Sequence, residues 1–253
     1  MLYLILTSIL LLANLNSSKA QIKEILKNFL ILPETTKTTR NEGVTYIGKS
    51  YFVLLDYSGS FAPNKNKYKE YFLNIFNDLS PGDRVFILKI SSLSETEITK
   101  LFEIGEKISA PNEYKLKQKL KELKPKIDSL KEVIFKELEK YFSSKEKTQW
   151  TDIRGTLRQV AQIKAENKMI LILSDMQEDK PNFRIPKLKL DDKMIQKVIE
   201  RDKKEDLLPD LKNSTVTIIG INAPDEEKLI QIKKFWQKYL TEAGAKEVKF
   251  TIY

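Results

Sequence analysis

Neither cysteine nor histidine occurs anywhere in this chain of 253 residues. Without cysteine there are no disulfides, no thiolate metal sites and no thiol nucleophile. Without histidine the commonest general base and the commonest transition-metal ligand are missing. Ser-His-Asp hydrolases, zinc peptidases with histidine ligands and most transition-metal oxidases are thereby excluded, and any metal must be bound by oxygen. An arginine-rich block is missing too. Lys+Arg number 44 against 35 Asp+Glu, a formal charge of +9, but the basic residues are dispersed through mixed Lys/Glu segments that read as solvated surface. A nucleic-acid partner, which calls for a basic patch interleaved with aromatics, is not expected. What is present is a globular composition, 41% hydrophobic and 31% charged, on a chain long enough to bury a sheet on both faces.

The first 20 residues stand apart. An apolar run from Leu2 to Leu12, interrupted only by Thr7 and Ser8, turns polar and reaches Ser18-Lys19-Ala20. It is short for a bilayer span, which needs ~20 residues, but suits the apolar region of a secretory signal. Small residues at Ser18 and Ala20 predict cleavage before Gln21, although no Lys or Arg precedes the apolar run. An uncleaved anchor and a buried first helix are the alternatives. The expected location is therefore outside the cytoplasm, periplasmic, secreted or at the cell surface, with membrane contact only through that segment if it is retained. Residues 21–44 hold one amphipathic helix (IKEILKNFLI) and a polar linker (PETTKTTRNEG).

From about residue 45 to 253, strand-like and helix-like segments alternate, the pattern of parallel strands with crossover helices. YFVLL is a continuous apolar run, as a strand buried on both faces requires. NKYKEYFLNIFNDL has helical spacing, SPGD is a turn and RVFILKI is a second strand. ITKLFEI alternates like an edge strand. A Lys/Glu-rich insertion at 113–147 carries Leu116, Leu120, Leu123, Ile127, Leu130 and Ile134 at spacings of three and four. That stripe predicts helix packed on its own domain, a coiled-coil partner arm being the alternative, with Pro125 breaking or kinking it into two. TDIRGTLRQVAQIKA is a helix with Thr151 at its entrance, and KMILILSD is a strand. A loop at 180–190 precedes a helix from Asp191 to Lys204, then come the strand STVTIIGI, a closing helix and the final strand EVKFTIY.

Two buried strands thus end in acids, Asp56 and Asp175. In an open α/β sheet, ligands bind at the carboxyl ends of the strands where strand order reverses. If these strands are neighbours there, the carboxylates converge. Ser58 and Ser60 follow the first strand, and the intervening Gly59 is expected to let the chain curl so that both hydroxyls face one point. Thr151 brings a third hydroxyl, unless it serves only as the cap of its helix. Oxygen donors of this kind suit a hard cation, Mg²⁺ or Mn²⁺, or Ca²⁺ in a looser cage. Glu178 and Asp179 are further candidates to supplement the site, but as loop acids they are expected to be solvated.

At Asp56-Tyr57-Ser58-Gly59-Ser60, Thr151 in QWTDIRGTL and Asp175 in LILSDMQED, the chain resembles the von Willebrand factor A domain family and its metal-ion-dependent adhesion site. The resemblance covers about 45–253 and includes the Gly82–Val85 turn. Trp150 and Met176 stand where that family often has glycine. The resemblance implies an α/β fold, doubly wound and Rossmann-like: a mostly parallel central sheet with one antiparallel edge strand and helices on both faces. It also implies that Ser58, Ser60 and Thr151 touch the metal, with Asp56 and Asp175 acting largely through waters. The expected function is an exported, non-enzymatic protein-binding module whose metal is completed by a carboxylate from the partner protein. Two alternatives are Mg²⁺-dependent phosphoryl transfer using Asp56 and a metal that only stabilises the fold.

Overall fold

The computed structural model describes residues 43–91, 98–103 and 107–251. The expected signal segment at 1–20, its cleavage site, and the helix and linker as far as residue 42 lie outside the described residues. Among the described residues no helix is long and apolar enough to cross a membrane.

Strand β1 (Val44–Ile47) leads into β2 (Ser50–Asp56), a turn at Lys65–Tyr68 and the short helix α1 (Lys69–Asn74). Next come β3 (Arg84–Ile90), β4 (Ile98–Glu103), β5 (Lys107–Ala110) and the long helix α2 (Glu113–Ser143). Helix α3 (Ile153–Gln162) precedes β6 (Lys168–Leu173), a small hairpin of β7 (Asp179–Lys180) and β8 (Phe183–Arg184), and α4 (Asp192–Lys204). Strand β9 (Ser214–Ile219), helix α5 (Glu226–Glu242) and β10 (Glu247–Thr251) complete the chain.

The central sheet has the order β10-β9-β6-β2-β3-β4. Its first five strands are parallel and β4 runs antiparallel at the edge, with a register shift opposite Ile87/Leu88. Strand β2 is buried at every residue, which explains its unbroken apolar sequence. Because side chains alternate across a strand, Phe52 and Leu54 enter a core under α3, α4 and α5. Tyr51, Val53 and Leu55 enter a second core under α1 and α2. Helices therefore cover both faces, as the sequence predicts. Cutting Leu54 back to alanine would cost about 2–5 kcal/mol, the usual range for a core leucine.

From β2 the chain moves outward through β3 and β4, then returns to the other side of β2 through β6, β9 and β10. The reversal falls between β2 and β6, which pair in parallel register from Ser50↔Lys168 to Leu55↔Leu173. The condition for convergence of Asp56 and Asp175 is met.

Besides the small β7–β8 hairpin at the start of the expected 180–190 loop, two details differ from the sequence-based expectation. Pro125 does not divide the Lys/Glu-rich segment, because α2 is continuous over 31 residues. Proline removes the hydrogen bond to the carbonyl four residues earlier; both Lys121 and Pro125 are exposed, so water can take that carbonyl. The second difference is an unexpected antiparallel pair, β1 with β5. Tyr46 and Ala110 cluster there with Leu116 from the start of α2, while the far half of the helix lies in the second core.

Candidate functional site

The end of β2 delivers Asp56 into the interior, with no exposed surface. One carboxylate oxygen accepts from the Ser58 amide at 2.7 Å, a local turn that folds the chain back over the strand end. The other accepts from the Ser174 hydroxyl at 2.5 Å. Ser174 closes the adjacent β6, and its oxygen in turn accepts from the Met176 amide at 2.9 Å. Asp175 is 3% exposed, and one of its oxygens accepts from the Gln177 amide at 3.0 Å. The Ser58 and Ser60 hydroxyls lie 3.1 Å apart, and Ser60 also interacts with the Asp175 carboxylate. Asp56, Ser58, Ser60 and Asp175 thus form one connected group. Its floor is buried, whereas Gly59 and Ser60 form an exposed lip.

Burial and the charge of Asp175 push the Asp56 carboxyl up to about 7, against the hydrogen bonds from Ser174 and Ser58. Burial raises Asp175 as well, with the Gln177 amide and the Ser60 hydroxyl pulling the other way. Desolvation disfavours the charged form of a carboxyl, and a like charge nearby adds to the effect. Among the described residues neither acid has an ion-pair partner.

Thr151 reaches this end of the sheet through its backbone. Residues 148–151 are tied on one side to the loop after β2, where the Thr148 amide donates to Tyr57 O at 2.9 Å. On the other side the Thr151 amide donates to Asp179 O at 2.8 Å, and the Asp179 amide returns the bond at 3.1 Å. The cap of α3 is Asp152, whose carboxylate accepts from the Gly155 amide at 2.9 Å. The Thr151 hydroxyl is therefore not spent on capping, and among the described residues it makes no hydrogen bond to the other four site residues. Thr148, which bridges to Ser58, has a buried hydroxyl with no hydrogen-bond partner among the described residues. No motif in the sequence marks it.

Gly59 plays a smaller part than expected. Its φ is not among the positive values, and a methyl group added there would meet nothing within 4 Å. The Ser58 amide bond to Asp56 supplies the curl instead. The demanding backbone position is Met176, with φ of 63°, a left-handed conformation uncommon for residues other than glycine. It is held from both sides: Ser174 accepts its amide, and the Trp236 indole donates to its carbonyl at 2.9 Å.

Glu178 is a correction. Expected to be solvated, it is fully buried and paired with Arg154, itself 2% exposed. Arg154 also reaches Asp202 at 2.7 Å and lies 4.0 Å from the centre of the Phe183 ring. Tyr239 donates to the same Asp202 carboxylate at 3.0 Å. This network locks the start of α3, the loop after β6, α4 and α5 together behind the site. Asp179 is half-buried and holds Arg184 through two bonds of 2.6 and 2.9 Å. On the opposite flank the Tyr141 hydroxyl of α2 donates to Asp56 O at 2.7 Å. Lys65 donates to the Tyr141 and Ser144 carbonyls at 2.6 Å each, which fastens the helix end to the loop after β2.

Among the described residues no three acids gather as a metal-binding cluster, so a cation at this site would rely on hydroxyls as much as carboxylates. A scan of protein families finds no match, and no curated protein matches by sequence. Among solved structures, the PilB minor pilin from Streptococcus sanguinis is similar at 13% identity and a TM-score of 0.43, over 85% of this chain and 58% of that one. SpaC, a pilus adhesin from Lactobacillus rhamnosus GG in its open conformation, is similar at 12% identity and a TM-score of 0.42, over 86% of this chain and 31% of that one. The chain thus spans less than two thirds of either protein. A likeness of this degree speaks to neither function nor partners.

Proposed function

We propose that the chain is an exported protein-binding module of the von Willebrand factor A type. It holds a divalent cation, Mg²⁺ or else Mn²⁺ or Ca²⁺, among Asp56, Ser58, Ser60, Thr151 and Asp175, and an acidic side chain of a partner protein completes the metal's shell. The observation that carries this reading is the buried acid pair at the sheet's switch point, with no counter-charge from the described residues. Taking two like charges out of water is costly unless a cation joins them.

The donor set fits such an ion. Metal–oxygen bonds of about 2.1 Å at right angles put neighbouring ligand atoms about 3.0 Å apart, and the Ser58 and Ser60 oxygens are separated by 3.1 Å. Both oxygens of Asp56 already accept hydrogen bonds from protein donors, which suits a carboxylate acting through water. Neutral hydroxyls on the metal leave it with unspent positive charge, and the exposed lip gives a visiting carboxylate access. The buried and doubly bonded Asp56 is poorly placed as a nucleophile, so phosphoryl transfer is the weaker reading.

The test is capture of surface proteins from the source cells on immobilised wild-type and Asp56→Asn chains, in Mg²⁺ and in EDTA. A partner retained only by the wild type in Mg²⁺ is the expected result. Retention indifferent to both chelation and the substitution would overturn the metal-bridge reading.

A further inference from the structure

Beside the candidate metal site lies a second feature with its own chemistry. A cleft of about 380 Å³ opens between the β8 end of the hairpin, the following turn and α4. Four cationic side chains line it: Arg184, Lys187, Lys197 and Arg201. No acid is among its lining residues, and its apolar wall includes Leu188 and Met194. The two arginines are held from behind, Arg184 by Asp179 and Arg201 by Asp202. Lys187 and Lys197 are exposed and have no ion-pair or hydrogen-bond partner among the described residues. The cleft therefore combines two uncompensated positive charges with apolar surface.

It is also joined to the rim of the acid pair. Asp179, which holds Arg184, pairs through its backbone with Thr151. The Arg184 guanidinium lies 5.4 Å from the centre of the Trp150 ring. An extended chain passing over Trp150 would move from one feature to the other without leaving the surface.

We propose that this cleft binds an acidic segment with apolar side chains between its acids, belonging to the same partner protein whose carboxylate reaches the metal. This rests on the reading of the module as a protein binder, but it makes a separate contact that needs no metal. The charge complementarity is specific: carboxylates meet Lys187 and Lys197, and the residues between them cover Leu188 and Met194. A clamp of this kind would add affinity and fix the direction in which the partner crosses the site, as electrostatic complementarity does at other interfaces.

The probe is a fluorescein-labelled peptide of alternating glutamate and leucine, followed by anisotropy at low salt in Mg²⁺ and in EDTA. Binding is expected to weaken at least tenfold in the Lys187→Glu/Lys197→Glu variant, both positions being exposed and outside the cores. A control reversal of the same charge on α2, Lys121→Glu/Lys124→Glu, is expected to change binding less than threefold. A peptide with serine in place of leucine is expected to bind more weakly to the wild type. Equal loss in the control variant, or full binding to the cleft variant, would overturn the proposal. The EDTA arm separates the two readings: loss in the cleft variant that persists in EDTA supports the cleft whatever becomes of the metal site. A calcium or magnesium requirement with no effect of the lysine reversals overturns the cleft and leaves the metal site standing.

Discussion

Two pairs of buried carboxylates lie within one stretch of this fold, and they are solved differently. Glu178 and Asp202 are as deeply buried as Asp56 and Asp175. The first pair shares Arg154. Burial pushes Asp202 up, but Arg154, Arg201 and Tyr239 outweigh it and hold the carboxyl below its ordinary value. Asp56 is likewise shut off from solvent and accepts hydrogen bonds from Ser174 and Ser58, yet burial and the Asp175 charge push its carboxyl up to about 7. Two things differ: Asp202 has cationic partners, and Asp56 faces the like charge of Asp175. Hydrogen bonds alone do not offset the burial of two acids, and among the described residues the protein supplies an internal cation to one pair and none to the other.

The largest expected effect comes from removing the internal cation. Arg154→Met leaves Glu178 with Lys180 at 3.3 Å and Asp202 with Arg201 and Tyr239 but without the buried cation they share, and breaking a buried ion pair from one side costs about 3–5 kcal/mol. Urea unfolding would read it; a loss under 1 kcal/mol would show that the two acid pairs do not differ as argued. The opposite sign is expected at the other pair. Asp56→Asn removes the repulsion with Asp175 and should raise the urea midpoint of metal-free protein at neutral pH, while making the stability indifferent to Mg²⁺. A cation that binds only the folded wild type raises its stability by about 2.7 kcal/mol at a hundred times its Kd.

The pH dependence sharpens the same contrast. A carboxyl whose folded pKa is raised favours the folded state while protonated, so its contribution is fully present below the ordinary value of about 4. That stability is lost as pH rises through the folded value of about 7. Metal-free wild type should therefore weaken between these limits on account of Asp56, and Asp56→Asn should flatten that slope in urea midpoints taken at successive pH values. A slope unchanged in the variant would assign it to other groups.

Smaller effects distinguish the hydroxyls. Thr151→Val is expected to weaken cation binding about 10–100-fold, the usual range for altering groups around a metal, whereas Thr148→Val should leave affinity within about threefold and gain slight stability by removing an unpaired buried hydroxyl. Reversed outcomes in a Mn²⁺ titration would give the ligand role to Thr148. Gly59→Ala is the smallest: stability should stay within about 0.5 kcal/mol, as for surface changes without strain. By contrast, Gly220 has φ of 90°, and an added methyl would sit 2.8 Å from the Phe61 ring.

The alternation of apolar strands and amphipathic helices made the sheet and its two covered faces legible, because period and burial are local properties. Convergence of Asp56 with Asp175 needed only the parallel pairing of their strands. What the sequence hid was pairing at a distance. Glu178 looks like a loop acid until Arg154, 24 residues earlier in the chain, is seen beside it. Ser174 adjoins Asp175, yet nothing local marks its role, since its partner Asp56 lies 118 residues away. Pro125 misled because its cost depends on whether the freed carbonyl faces water, which no local pattern records. Met176 kept a glycine-like conformation through bonds to Ser174 and Trp236, again contacts that only the fold supplies.

Calorimetric titration of Mn²⁺ into chelator-stripped wild type and Asp56→Asn tests the central claim most directly. One saturable site in the wild type and none in the variant is the predicted result. Absence of saturable binding in the wild type, or equal binding in both chains, would contradict it.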